Sequence, residues 1–285
     1  SLRAVIRGSL YHGVEAYGIR YGYNGLIDGD IYKMKSYSVS NIVQKGGTIL
    51  KSARSEEFKT KEGRKKAMDQ LDRRGIEGLV VIGGDGSFTG AKLLHDEYGI
   101  PVMGAPGTID NDLYGTDYTI GFDTAVNTAL DAIDKIRDTA NSHDRIFFIV
   151  LMGRDAGFIA IQSGIGGGAE LVMVPETRTT IEDVILTLDQ GRNKEKTSSI
   201  VVVAEGDEEG GALKTVEKIK PRLQNKEIKV STLGHMQRGG SPTAADRILG
   251  SRLGLGALEG LLEGKTNMMA GIVNDHLVYT DFETA

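Results

Sequence analysis

Two short segments of the chain place carboxylates directly after apolar strands. In the first, a predicted strand at 78–82 leads into Gly83-Gly84-Asp85-Gly86-Ser87. In the second, residues 101–105 lead into Pro106-Gly107-Thr108-Ile109-Asp110-Asn111-Asp112. A glycine loop that opens a helix binds phosphate through free backbone N–H groups and the positive end of the helix dipole. These segments therefore predict phosphate chemistry at the strand ends.

The carboxylates in these segments have distinct uses in phosphoryl transfer. Asp85 can hold Mg²⁺ beside the phosphates, and Asp110 can accept the proton of an attacking hydroxyl. Asp110 and Asp112 resist simultaneous ionisation when they are close, which tunes one of them towards the pKa of a base. The alternatives are that Asp85 only caps the following helix and that 106–112 is an Asx-rich turn.

Several cations are candidates for binding the transferred phosphoryl group and a phosphate on the acceptor. Arg54 lies in a polar loop and Arg154 follows a predicted strand. A guanidinium can bridge phosphoryl oxygens bidentately, although either arginine alone is more often a surface cation. Glu205 can accept hydrogen bonds from sugar hydroxyls. A second basic set suits the acceptor phosphate, although a histidine alone is more often structural: Arg145, Lys229, His235 and Arg238.

Composition narrows the class of protein. The chain has 285 residues, of which 40% are hydrophobic and 26% charged, a size and balance typical of two packed globular domains. A net charge of −5 argues against a general nucleic-acid binder. There is no cysteine, so disulfides and thiolate metal sites are excluded, and a cytoplasmic location is compatible with this. The sequence contains no apolar run long enough for a membrane span.

The elements that position these residues alternate between strand and helix. This order predicts an α/β fold with two domains, each a mainly parallel sheet with helices on both faces. Ligands bind at the carboxyl ends of the strands in such sheets. Other predicted strands lie at 15–19, 145–152, 171–174, 200–204 and 229–233, and predicted helices at 1–7, 64–74, 88–98, 124–139, 179–193 and 244–263.

Three local features complete this prediction. A Gly/Tyr-rich loop is expected through Gly25, and a flexible surface excursion at 208–211. Thr179 and Glu182 have the spacing of a capping box and therefore predict a helix start.

Four segments together resemble the signature segments of bacterial-type ATP-dependent 6-phosphofructokinases: Gly83–Ser87, Pro106–Asp112, Met152–Arg154 and Leu233–Pro242. Their order and spacing agree with that family over nearly the whole chain. The resemblance implies transfer of the γ-phosphoryl group of MgATP to the 1-hydroxyl of fructose 6-phosphate. It also implies a nucleotide-binding domain at 1–121 and 237–285 and a sugar-phosphate-binding domain at 122–236.

The resemblance assigns roles to individual residues. Asp110 is the proton acceptor with Thr108 beside it, Arg54 and Arg154 stabilise the transferring phosphoryl group, and Asp85 binds Mg²⁺. The implied ATP contacts are Tyr23, Arg54, Ser55, Gly84, Asp85, Gly86 and Ser87. The implied substrate contacts are Thr108, Ile109, Asp110, Arg145, Met152, Gly153, Arg154, Glu205, Lys229, His235, Met236, Gln237 and Arg238. Arg145 is expected to serve a neighbouring subunit, which implies a homo-oligomer, in this family usually a tetramer.

Two glycines bear on the phosphoryl donor. Pyrophosphate-using relatives carry Asp at the position of Gly86 and Lys at that of Gly107. The Asp would crowd and repel the α-phosphate of ATP, while the Lys would hold pyrophosphate. Glycine at both positions leaves room for a nucleotide and favours ATP.

Departures from the family pattern set further expectations. The family's opening strand and glycine loop are missing before Ser1 and the last helix is missing at the other end, so the chain looks truncated and slow or inactive. Lys229 stands where the family usually has an Arg that binds the sugar phosphate across subunits. Effector control by ADP or phosphoenolpyruvate is in doubt because Ser36 and Asn41 replace an Arg and an Asp. The remaining effector pattern, equally consistent with ordinary surface charge, is Arg3, Arg7, Arg137, Glu170, Lys194 and Lys196.

Three other functions compete with this hypothesis. A pyrophosphate-dependent or relaxed-acceptor sugar-phosphate kinase would share most of the site. A catalytically silent ligand-binding homologue would be explained by the missing glycine loop. A lipid or NAD kinase shares the Gly-Gly-Asp-Gly loop but does not account for the segments at 106–112 and 233–242.

Overall fold

The computed structural model describes residues 1–141, 145–192, 198–206, 211–223 and 226–285. The chain divides into two compact units. Unit 1 contains Ser1–Thr108, Leu113–Ile120 and Ser241–Ala285, and unit 2 contains Ile109–Asp112 and Gly121–Gly240. The predicted α/β class is confirmed. Residues 208–210 of the predicted surface excursion lie outside the described residues.

The helices include several that the sequence analysis anticipated within a few residues. The α-helices of the described residues are α1 (Leu2–Tyr11), α2 (Gly22–Asp28), α3 (Lys61–Asp72), α4 (Asp85–Tyr98), α5 (Phe122–Asn141), α6 (Phe158–Gly166), α7 (Ile181–Arg192), α8 (Gly211–Ile219) and α9 (Ala244–Leu262). Among them, no helix combines the length and apolar character needed to cross a bilayer.

The strands form three sheets. They are β1 (Ala16–Ile19), β2 (Ile31–Met34), β3 (Leu79–Gly83), β4 (Val102–Pro106), β5 (Ile146–Leu151), β6 (Leu171–Met173), β7 (Ser199–Ala204), β8 (Ile228–Thr232), β9 (Met268–Val273) and β10 (His276–Asp281). The strand orders are β1-β2, β10-β9-β4-β3 and β6-β7-β5-β8.

The sheet of unit 2 is parallel throughout. One face of β5 and β7 packs against α5 and α6, and the opposite face packs against α7 and α8. Burial on both faces explains why these strands are continuous apolar runs without alternation. Because helices pack on both faces of this sheet, its strands are held in place. The polar loops of unit 2 begin at the ends of these strands.

The main sheet of unit 1 is parallel except at one edge. Strands β3, β4 and β9 run parallel, and β10 turns back antiparallel to β9. One face packs against α9, and the other packs against α3 and α4. Strands β1 and β2 form a separate antiparallel pair.

The structure differs from the sequence-based prediction in several elements. The loop expected through Gly25 contains α2, which begins after Tyr21 adopts a left-handed conformation with φ 58°. The expected capping box is shifted by one residue: Thr180 Oγ1 accepts from Asp183 N at 3.2 Å, and Asp183 Oδ2 accepts from Thr180 N at 2.9 Å. Elements that were not predicted are β2, α6, α8 and the β9–β10 hairpin.

Candidate active site

The register of unit 1 brings its two polar loops to one edge of the sheet. Gly83 is the register partner of Pro106 at the carboxyl ends of β3 and β4. The pairing continues one step beyond the strands, because Gly107 N donates to Gly83 O at 2.8 Å. A side chain at Gly84 would lie 3.5 Å from Thr108 Cβ. The glycine loop and the first part of the second segment, Pro106–Thr108, are therefore neighbours in space within unit 1.

The glycine loop ends at the N-terminus of α4. Gly84 is the residue before the helix, and its carbonyl accepts from Ser87 N at 2.9 Å and Phe88 N at 3.1 Å. Asp85 is the first helical residue and is exposed, so it is not the cap that the alternative interpretation required. The first N–H groups of a helix have no partner within the helix and carry partial positive charge. This end of α4 suits phosphate, and the Asp85 carboxylate suits a Mg²⁺ ion bound to it.

Helix α2 contributes a tyrosine that supports the glycine loop. The hydroxyl of Tyr23 donates to Ser87 O at 2.5 Å, and its ring stacks on Phe58 with centroids 3.9 Å apart. Burial raises the pKa of the Tyr23 hydroxyl above its ordinary value, so it stays a neutral donor. Tyr23 was predicted to contact the nucleotide, but its hydroxyl is engaged with the loop itself.

The loop before α3 carries the predicted phosphoryl-binding arginine. Asn24 Nδ2 donates to Arg54 O at 3.0 Å, which anchors the backbone of this loop while the Arg54 side chain is exposed. The adjacent Ser55 Oγ accepts from Phe58 N at 3.3 Å. Arg54 and Ser55 are thus held beside the same aromatic pair, Tyr23 and Phe58, that supports the glycine loop.

The two glycines that are predicted to set the choice between ATP and pyrophosphate differ in the space around them. A Cβ atom at Gly86 would meet no atom within 4 Å. A Cβ atom at Gly107 would lie 3.3 Å from Ile82 Cγ2 and 3.4 Å from Gly83 N. Open space at Gly86 leaves room for a bulky ligand beside the start of α4.

In unit 2 a buried carboxyl lies among several charged side chains. Asp110 is only 8% exposed. Burial is the main cause that raises the pKa of Asp110, and the Asp112 carboxylate raises it further. Arg154 and Arg238 oppose this shift, while Glu205 adds to it. Three other residues predicted to form the reacting site, Arg154, Glu205 and Arg238, therefore lie within electrostatic reach of Asp110.

Arg154 is held in an unusual backbone conformation. Its φ is 54°, in the left-handed region that costs a side-chain-bearing residue free energy. Glu205 Oε1 accepts from Arg154 N at 3.0 Å, and Glu205 N donates to Leu151 O at 2.9 Å. Leu151 and Ala204 are register partners at the ends of β5 and β7, so Arg154 and Glu205 follow adjacent strands. Glu205 thereby fixes the backbone of Arg154, whose side chain is exposed, whereas Met152 is buried.

The segment after β8 returns to the same end of this sheet. Leu233 N donates to Val150 O at 3.1 Å, and a 3₁₀ turn spans Gly234–Arg238. His235, Met236 and Arg238 are exposed. Gln237 is 1% exposed and its Nε2 donates to Gly234 O at 3.2 Å, so this residue is buried within the turn, and its predicted contact with the substrate stays a prediction.

The four cations predicted to bind the acceptor phosphate lie at two different ends of the sheet of unit 2. Arg145 immediately precedes β5 and Lys229 lies near the start of β8, whereas His235 and Arg238 follow the carboxyl end of β8. Within a single copy these four cations therefore do not form one cluster, because parallel strands separate their two ends, and their joint use for one substrate stays a prediction that requires a neighbouring copy. Arg145 in particular lies at the opposite end of β5 from Arg154.

Sequence reasoning missed the carboxylate that joins Arg145 and Lys229. Glu227 Oε1 accepts from Lys229 Nζ at 2.6 Å, and Arg145 Nε donates to Glu227 Oε2. The Lys229 and Arg145 hydrogen bonds lower the pKa of Glu227 to about 2. The signal was present in the sequence, because residues two apart on a strand share one face.

The possible effector residues belong to both units of the chain. Arg3 and Arg7 belong to α1 in unit 1. In unit 2, Arg137 donates to Gly167 O at 2.5 Å and Gly168 O at 2.8 Å, and Glu170 Oε2 accepts from Ile200 N at 2.6 Å. Lys194 and Lys196 lie outside the described residues. An effector role for these residues stays a prediction.

Comparison with known proteins identifies the family. A family model described as phosphofructokinase matches residues 1–261. The ATP-dependent 6-phosphofructokinase of Cytophaga hutchinsonii is 58% identical over 281 residues, which cover 99% of this chain and 86% of that protein. ATP-dependent 6-phosphofructokinase 1 of Thermus thermophilus is 56% identical over 285 residues, which cover 100% of this chain and 88% of that protein. The chain belongs to the phosphofructokinase family.

Solved structures agree at the level of the fold. Phosphofructokinase from Saccharomyces cerevisiae superimposes with a TM-score of 0.93 at 32% identity, covering 99% of this chain and 42% of the yeast chain. This chain therefore spans less than half the length of the yeast chain. A pyrophosphate-dependent phosphofructokinase from Marinobacter aquaeolei superimposes with a TM-score of 0.82 at 22% identity, covering 100% of this chain and 79% of that chain. At that identity the likeness concerns the fold alone.

Proposed function

We propose that this chain is an ATP-dependent 6-phosphofructokinase, which transfers the γ-phosphoryl group of MgATP to the 1-hydroxyl of fructose 6-phosphate. The products are ADP and fructose 1,6-bisphosphate, and the reaction belongs to cytoplasmic glycolysis. The observation that carries the proposal is the buried Asp110 carboxyl with its raised pKa and two guanidinium neighbours, Arg154 and Arg238. A base tuned upwards beside cations is what a hydroxyl needs to attack a phosphoryl group.

The residues of unit 1 fit the donor. ATP phosphates bind the N–H groups at the start of α4, and the exposed Asp85 carboxylate is the protein ligand for Mg²⁺. Among the described residues no group of three or more His or acidic side chains forms a metal site. Mg²⁺ typically takes one or two carboxylates together with substrate phosphates and water, so one aspartate is sufficient. A Mg²⁺ ion held there would supply positive charge beside the phosphates.

The residues of unit 2 fit the acceptor. Asp110 takes the proton of the attacking hydroxyl, and Arg154 neutralises the charge on the transferring phosphoryl group. Glu205 fixes the backbone of Arg154 through the hydrogen bond at 3.0 Å and offers its other oxygen to a sugar hydroxyl. His235 and Arg238 hold the body of the acceptor. Donor groups placed before reaction stabilise the developing charge without reorganisation.

Arg145 and Lys229 are assigned to the 6-phosphate of an acceptor bound by a neighbouring copy. Their position at the opposite end of β5 from Arg154 supports this assignment. A homo-oligomer with shared substrate sites follows from it, which we propose to be a tetramer as is usual in this family. Lys229 supplies a point charge rather than a guanidinium fork.

Steady-state rates with fructose 6-phosphate test the proposal. ATP and pyrophosphate are compared as donors at matched free Mg²⁺. We expect turnover with ATP, loss of turnover on chelation of Mg²⁺, and little or none with pyrophosphate. A higher rate with pyrophosphate would favour the pyrophosphate-dependent alternative. Calorimetric binding of fructose 6-phosphate without any turnover would instead favour the silent homologue.

A further inference from the structure

We infer that Glu227 is a positioning residue for the acceptor's phosphate, because its carboxylate holds Arg145 and Lys229 side by side. The inference deepens the proposed function and rests on it, since that function assigns the two cations to the 6-phosphate. Glu227 itself does not touch the substrate in this scheme. It acts by fixing the geometry of the two side chains that do.

The backbone holds the three residues in register. Strands β5 and β8 are parallel partners that pair Ile146 with Ile228 and Phe147 with Lys229. Ile146 N donates to Glu227 O at 3.0 Å, which ties the residue before β8 to the first residue of β5. Because side chains alternate along strands, Arg145, Glu227 and Lys229 point to the same face. The pairing of β5 with β8 therefore places the Glu227 carboxylate between the two cations.

Each carboxylate oxygen serves a different cation. Glu227 Oε1 accepts from Lys229 Nζ at 2.6 Å, and Glu227 Oε2 accepts from Arg145 Nε. The Nε edge of a guanidinium is separate from its terminal pair of nitrogens, so the terminal pair stays oriented for a phosphate. Two cations this close repel each other, and the intervening carboxylate removes that repulsion.

The exposure of the trio fits a ligand site at the surface. The side chains of Arg145, Glu227 and Lys229 are 24%, 45% and 48% exposed. Exposed ion pairs contribute little to folding free energy, typically about 0–1 kcal/mol. A role in stability therefore explains little of this arrangement, whereas a role in orienting cations for an anionic ligand explains both contacts of Glu227.

Calorimetric titration of fructose 6-phosphate into the full chain tests the inference. We expect Glu227→Gln to weaken binding about tenfold, by analogy with outer partners of metal ligands. The KM for ATP and the melting temperature should stay unchanged. Glu227→Asp keeps the charge but is too short to reach both cations, so we expect an intermediate loss. The matched control is Glu182→Gln, which removes another exposed carboxylate paired with an arginine, Arg222, at 3.2 Å.

A double-mutant cycle separates positioning from a general structural effect. If Glu227 acts through its cations, Glu227→Gln adds almost nothing to the loss already caused by Arg145→Ala. Additive losses would overturn the inference, as would unchanged or tighter binding by Glu227→Gln alone, since tighter binding would make the carboxylate a competitor of phosphate.

Two further variants in this experiment test the proposed function itself. Arg145→Ala and Lys229→Ala test the assignment of these cations to the 6-phosphate independently of Glu227. If neither variant weakens fructose 6-phosphate binding, the assignment itself is wrong. If both do and Glu227→Gln does not, only the inference about Glu227 fails.

Discussion

At the scale of single residues, the candidate chemistry depends on groups placed where their ordinary behaviour is altered. Asp110 is buried, and its pKa is raised by burial and by Asp112 against the pull of Arg154 and Arg238. Arg154 occupies a left-handed conformation that is supported by a hydrogen bond to Glu205. Both features cost free energy in the folded state, as is usual for residues retained for function.

Replacement of Asp110 should separate activity from stability. We expect Asp110→Asn to lower kcat by about 10²–10⁴-fold with little change in KM, because the general base is lost. The folded-state pKa lies above the unfolded one, so the ionised carboxyl destabilises the fold at neutral pH and protonation at lower pH removes that cost. The variant should therefore unfold at the same or a higher temperature. Near-native turnover would exclude Asp110 as the base.

The pH dependence of the native enzyme should report the same group. In kcat/KM the acid limb falls as pH decreases through the raised pKa of Asp110, because only the carboxylate accepts a proton. This limb should be absent from the residual rate of Asp110→Asn. An unchanged acid limb in the variant would assign it to another group.

The space at Gly86 makes a test of donor choice possible. Gly86→Asp introduces a Cβ atom that meets no atom within 4 Å, so we expect the variant to fold. Its carboxylate should repel the nucleotide phosphates and raise the KM for ATP at least tenfold, about 1.4 kcal/mol of lost binding. Gly86→Ala is the control for bulk alone and should bind ATP almost normally. Equal effects of both substitutions would point to bulk rather than charge.

At the scale of elements, parallel register explains which residues meet. Gly83 and Pro106 end adjacent strands of unit 1, and Leu151 and Ala204 end adjacent strands of unit 2. Polar residues that follow such strand ends converge at one edge of each sheet. Helix α2 lies in a segment that was expected to be a loop. It supports the glycine loop through Tyr23, a contact that strand periodicity does not predict.

The hydroxyl of Tyr23 provides a test of that support. Tyr23→Phe removes the hydrogen bond to Ser87 O at 2.5 Å and keeps the ring that stacks on Phe58. We expect a loss of about 0.5–1.5 kcal/mol in stability and a severalfold higher KM for ATP. Binding of fructose 6-phosphate should not change. Tyr17→Phe is the control, because its hydroxyl bonds only to an exposed carboxylate, Glu15, at 3.2 Å. Similar nucleotide defects in both variants would contradict a specific role for Tyr23.

At the scale of the whole molecule, unit 1 carries the candidate donor residues and unit 2 the candidate acceptor residues. Arg145 and Arg154 lie beyond opposite ends of the parallel strand β5. The proposed function therefore assigns a substrate phosphate held by Arg145 to the site of another copy. The proposed oligomer is thus tied to catalysis and can be tested through it.

An oligomer that mixes two differently substituted chains should regain activity when each chain supplies the residue that the other lacks. We expect co-expressed Arg145→Ala and Asp110→Ser chains, each nearly inactive alone, to recover measurable turnover, since some sites then combine intact Asp110 with intact Arg145. Co-expressed Asp110→Ser and Arg154→Ala chains should not recover, because each site keeps a lesion in its own copy. Recovery in both mixtures, or in neither, would contradict the shared site.

The amino-acid sequence by itself determined the α/β class, most strands and helices, and the segments with chemical potential. Apolar runs, glycine loops and carboxylates are local signals that need no knowledge of partners. Only the tertiary structure decided that Glu205 supports Arg154, that Glu227 joins Arg145 to Lys229, and that Tyr23 holds the loop of α4. These contacts join residues distant in the chain or depend on strand register, so their geometry follows from packing and pairing rather than from any local pattern.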